Sequence, residues 1–185
     1  GLIGSYGIHE GNAVNLAPKA MSALWAAKKE ENVDAEHEPL YAWCEQGLDN
    51  LQSVNPDDQG ISLREIACRL GTYVDETLQH SAPEDTVLAI GHSGDVELFV
   101  YLSMAIMESD RSTDVLAKNF RRTGGALKPL EGLLLFCDTP KGDTVRMQYK
   151  PRGESAEYNF SFPRWVFREQ AEWYRENGRS KEVLE

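Results

Sequence analysis

Arginine is missing from the first 63 residues of this 185-residue chain: all 11 arginines lie at Arg64 or beyond. That stretch offers no planar, bidentate fork to a phosphate or carboxylate, which lysine meets only as a point charge. Cysteine is scarce too. Cys44, Cys68 and Cys137 are odd in number, widely spaced and without a Cys-x-x-Cys pair, which excludes a disulfide framework and a zinc site and points to a reducing compartment. No apolar run reaches the ~18 to 20 residues of a membrane helix; the longest, 98–107, is interrupted by Ser103. Basic residues are outnumbered 19 to 30, giving a net charge of −11. Non-specific nucleic-acid binding, which needs a lysine- and arginine-rich face, is thereby excluded. Internal repeats and low-complexity tracts are absent as well.

What is present suits a folded domain. Hydrophobic residues make up 41% and charged residues 26%, too much apolar surface for wholesale disorder. At this length one core with an appended arm is expected, divided as residues 1–158 and an aromatic-rich helical arm, 159–185. The chain begins at Gly1, which leaves a removed leader open, and the expected setting is soluble and intracellular.

Residues 2–6 read as a short buried strand. From Pro18 to Glu31 the pattern is helical, with Met21, Leu24 and Trp25 at i, i+3 and i+4; a shorter helix is expected over 41–51. Ser62 and Glu65 have capping-box spacing, followed by the stripe Leu63, Ile66, Ala67, Leu70, Tyr73, Val74 and Leu78. The apolar run from Thr86 to Ile90 reads as a central parallel strand. Asp95 to Met107 is apolar nearly all round, hence a buried helix, and 115–122 is helical. Residues 130–137 and 144–149 flank a Pro- and Gly-containing turn, a hairpin signal. Pro163 to Asn177 reads as a helix stopped by Gly178. Strand–helix alternation predicts an α/β fold: a mostly parallel central sheet with helices on both faces, a C-terminal β-hairpin and a helical arm.

In such sheets ligands gather at the carboxyl ends of the strands, beside helix N-termini. Two such ends stand out, Ser5-Tyr6-Gly7 and Gly91-His92-Ser93-Gly94. The second places an imidazole beside backbone N–H groups, an arrangement suited to an anion or a phosphorylated small molecule.

The run Thr86 to Val96, with its Gly91-His92-Ser93-Gly94 turn, resembles the second histidine motif of the histidine phosphatase (phosphoglycerate mutase-like) superfamily. Gly60-Ile61-Ser62-Leu63-Arg64 resembles that family's Gly-Glu-Ser-Leu segment. The stretch Leu2 to Asn12 is similar to its opening strand and Arg-His-Gly-x-Ser-x-x-Asn signature, with Gly7, Glu10, Gly11 and Asn12 in register. The three occur in the family's order and cover about the first 110 residues. The departures are as informative. Ser5 stands at the arginine position and Tyr6 at that of the nucleophilic histidine; serine carries no positive charge, and a phenol of pKa ~10 is a poor nucleophile.

The resemblance thus implies a degenerate phosphatase-like domain, a pseudophosphatase that is inactive or weakly active and serves as a binding or structural subunit. The alternative it implies is an active phosphomonoesterase or mutase with a rearranged site. Tyr6, or His9 in a slipped register, would then be the nucleophile and His92 the transition-state donor. Ser5, Asn12, Ser93, Arg121 and Arg122 would bind phosphate, with Arg64 a further substitute cation. Glu10 and Glu38 are nominal general acids, and His37 and His80 read as surface and helix-end residues. No cofactor and no metal is expected. The expected partners are an anionic small molecule and a protein bound through the C-terminal arm.

Overall fold

The computed structural model describes residues 3–5, 37–49, 51–52, 61–82, 88–90, 94–123, 127, 133–137, 142–149 and 158–178. In chain order the elements are β1 (Ile3–Ser5), α1 (His37–Cys44), β2 (Leu51–Gln52), β3 (Ile61–Ser62), α2 (Leu63–His80), β4 (Leu88–Ile90), α3 (Asp95–Glu108), α4 (Val115–Thr123), β5 (Leu133–Phe136), β6 (Thr144–Tyr149), β7 (Tyr158–Pro163) and α5 (Trp165–Asn177). The helix expected over 18–31 lies outside the described residues.

The expected sheet is corrected. Among the described residues, parallel pairing is confined to the three-residue ladder of β1 with β4, in which Ser5 faces Ile90. β2 and β3 form an antiparallel pair of two residues each. The longest strands, β5, β6 and β7, make a separate antiparallel sheet in that order. The reason lies in the side chains: Val145, Met147 and Tyr149 are buried while Thr144 and Arg146 face outward. A strand alternating in this way covers the core with one face and leaves the other wet, as antiparallel sheets do, whereas parallel strands are apolar on both faces. A run of the second kind such as Thr86 to Ile90 does not by itself make a large parallel sheet.

The helices pack on one another. α2 lies against both α5 and α3, α3 also against α4, and α4 against α1. Ser62 caps α2, its hydroxyl accepting from the Glu65 N–H at 3.1 Å, and Leu63, Ile66, Ala67 and Val74 are buried. α3 is the centre of the core: Leu98, Phe99, Val100, Tyr101, Leu102, Met104 and Ala105 are all buried, each large side chain contributing about 1.5 to 3 kcal/mol. The apolar stripe of α5 is spent on the same core. Its Phe167 stacks on Phe99 with centroids 5.6 Å apart and meets Phe162 of β7 edge-on at 6.0 Å, while Trp165 stays exposed. Among the described residues, no helix is long and apolar enough to cross a membrane.

One contact in this layer depends on a missing side chain. Gln170 of α5 is fully buried, and its amide donates to the Ser103 hydroxyl at 2.8 Å, which in turn donates to the Phe99 carbonyl at 2.8 Å. Its side chain lies so close to α2 that a Cβ added at Gly71 would overlap Gln170 Oε1 and come within 2.9 Å of Cδ, besides 2.7 Å of Cβ. Gly71→Ala is therefore expected to lower stability by about 1 to 3 kcal/mol through overpacking. The companion change Gln170→Ala should recover part of that loss in the double variant, measured by urea denaturation; strictly additive losses would contradict the contact.

Candidate functional site

Four residues separate the end of β4 from the start of α3, and the chain enters the helix through Gly94 at φ +100°. That conformation is one a Cβ disfavours, which is why glycine stands there. Glu97, three residues on and fully buried, folds back over the turn. Its Oε2 accepts from the Gly94 N–H and its Oε1 from the Leu127 N–H, both at 2.8 Å. Asp95, the first helical residue, is 4% exposed, and its Oδ2 has no hydrogen-bond partner among the described residues. Burial pushes the Asp95 carboxyl up to about 7; the Arg69 charge from α2 pulls it down and the Glu97 charge adds to the rise. The α3 dipole favours a negative charge here, so desolvation outweighs it. Buried carboxyl groups in this range titrate near neutrality, which is characteristic of functional positions.

The interior behind this turn is polar but inert. Tyr101 shares hydrogen bonds with Tyr149 and Thr123, and burial drives both phenols upward. Burial also raises the Cys44 thiol, with the Glu97 and Glu45 charges acting in the same direction, and pushes Cys68 up to about 12. Neither thiol is a nucleophile at neutral pH. Among the described residues, no group of three histidine, cysteine or acidic side chains could hold a metal ion.

The residues singled out from sequence are distributed as follows. Ser5 ends β1 beside Ile90, the last residue of β4, so the two strands finish side by side. Tyr6, His9, Glu10, Asn12, His92 and Ser93 lie outside the described residues. His80 sits in the last turn of α2, its Nδ1 2.8 Å from the Glu76 carbonyl. The three substitute arginines are engaged elsewhere. Arg64 is held by Asp49. Arg121 is 3.6 Å from Glu45 and lies over the Tyr41 ring at 4.9 Å. Arg122 pairs with Glu108, the last residue of α3, about 20 Å along that helix from its start. None of these ion pairs includes Asp95. Asp95 and Glu97 themselves were passed over in the sequence, although a glycine with glutamate three residues on, opening an otherwise apolar helix, is a capping signal.

No protein-family model, no curated protein and no solved structure matches this chain. The described architecture also lacks the large, mostly parallel sheet on which a histidine phosphatase or phosphoglycerate mutase-like domain is built. Both the pseudophosphatase reading and the active phosphomonoesterase or mutase reading are overturned with it.

Proposed function

We propose that the chain is a binding domain for a small oxyanion, received at the carboxyl end of the β1–β4 pair and over the start of α3. The neutral Asp95 carboxyl would donate a hydrogen bond to the ligand. The carrying observation is the buried Oδ2 of Asp95, which has no hydrogen-bond partner among the described residues. A carboxyl group kept protonated near pH 7 donates where an ionised one repels. The Arg69 charge beside it and the Glu97 charge leave the turn electrically balanced while Asp95 is neutral. Ionising Asp95 makes the same turn net negative, so anion affinity is lost as pH rises through about 7.

Sulfate is the suitable probe because its charge is constant across the window. Its affinity, followed by NMR or calorimetry, is expected to fall above pH 7, approaching about tenfold per pH unit. Asp95→Asn should bind with a flatter profile, since its amide donates at every pH. No sulfate binding at pH 6, or an unchanged slope in Asp95→Asn, would overturn the reading.

A further inference from the structure

A second opening lies about 15 Å along α3 from Asp95. There a cavity of about 360 Å³ is bounded by residues 46–49, after α1, and residues 110–113, after α3. Leu48, Leu102, Ala105 and Ile106 supply its apolar lining, and Arg64 enters it from the first turn of α2. Arg64 Nε and Nη2 donate to the two oxygens of Asp49 at 2.6 and 2.8 Å. This is the side-on bidentate geometry by which a guanidinium takes a carboxylate. The guanidinium also lies over the Trp173 ring, 5.7 Å from its centroid, so it stays in place when Asp49 leaves. The exposures are unequal: the Asp49 side chain is 66% exposed and that of Arg64 only 22%. The partner in front is thus readily exchanged with solvent, and the cation behind it is fixed. The other acid at the rim, Asp110, is already satisfied by the Ser112 N–H at 2.8 Å and faces the Lys118 ammonium at 3.7 Å.

The geometry points to a binding site for small carboxylic acids with an apolar body, in which the ligand carboxylate takes the place of Asp49 on Arg64 and the hydrocarbon lies on Leu102, Ala105 and Ile106. Asp49 is then a tethered competitor: it fills the fork in the empty protein and weakens every ligand by its own affinity for Arg64. No bond is made or broken, and the site is separate from the turn at Asp95, so the two readings stand or fall independently.

The test is a titration of the full chain with hexanoate, followed through the backbone amides of Leu102, Ile106 and Thr113. Saturable shifts at these amides are expected, with binding about fivefold tighter in Asp49→Asn, the range an exposed ion pair can withhold. Acetate, which lacks the apolar body, should bind more weakly, and Arg64→Met should abolish the shifts. Arg64→Lys keeps a charge without the fork and should weaken binding, which covers the case in which Arg64→Met fails to fold. No saturable shift in Asp49→Asn up to about 10 mM, weaker binding in that variant, or unchanged binding in Arg64→Lys overturns the assignment.

Discussion

Asp95→Asn is expected to make the protein more stable at pH 8 by about 2 to 4 kcal/mol and to remove most of that gain by pH 4. The folded-state value of about 7 stands above the ordinary 3.8 of this carboxyl. Between those two limits the folded chain holds a proton that the unfolded chain has released. Stability from this group is therefore complete below pH 4, declines as pH rises toward 7, and stays at its lower level above it. Asparagine has the same shape and no charge to desolvate, so its advantage appears where aspartate is forced to ionise. Urea denaturation at intervals from pH 4 to pH 8 reads the difference directly. A variant that is less stable at pH 8, or whose advantage persists at pH 4, would show that the buried carboxylate is compensated and carries no penalty.

A penalty of that size is a large fraction of the stability of a domain this small. The proposed function gives it a reason: a group kept uncomfortable in the empty protein is one whose discomfort a ligand or a proton can relieve. The neighbouring carboxylate makes the contrast visible. Glu97 is more deeply buried than Asp95 yet has both oxygens paired with backbone N–H groups, whereas Asp95 retains an oxygen with no partner among the described residues.

The helices were legible because their signals are local. The Ser62 cap, the apolar run of α3 and the stripe of α5 each lie within one stretch of chain and repeat with the helical period. α1 was shifted because the acidic, loop-like stretch from Asn32 was carried as far as Pro39. That proline stands at the third residue of His37–Cys44, within the first turn, where no intrahelical N–H bond is required. The sheet was not legible for the opposite reason. Whether Thr86 to Ile90 is one strand of many or half of a short pair is decided by residues more than 80 positions away, Ile3 to Ser5. β7 was present in the sequence as the period-two spacing of Tyr158, Phe160 and Phe162, which runs without a break into the aromatics of α5 and was merged with them. At the site, the turn from Gly91 to Gly94 drew attention to His92, one step short of the buried acids. Burial of Asp95 depends on how α2 and α3 pack, and no spacing within one segment encodes that.

Glu97 is where the structure is expected to be least forgiving. Its carboxylate joins two points 33 residues apart, the Gly94 and Leu127 amides, and no water reaches it to take its place. Glu97→Ala leaves both buried donors without an acceptor, at about 1 to 3 kcal/mol each, and adds a cavity. A total loss of about 3 to 6 kcal/mol is expected, enough to unfold a marginal domain. Glu97→Gln is the informative companion. The amide retains one acceptor oxygen and turns its NH₂ toward the other donor, so about half of the loss should remain. It also deletes the negative charge that helps to hold the Asp95 carboxyl up. Asp95 should then titrate lower, which carbon-13 NMR of its carboxyl resolves, and the sulfate profile should move to lower pH with it. A glutamine variant of full stability would mean that the Gly94 and Leu127 amides have other acceptors. An unmoved Asp95 titration would mean that the two carboxylates do not sense each other and that burial alone sets the higher value.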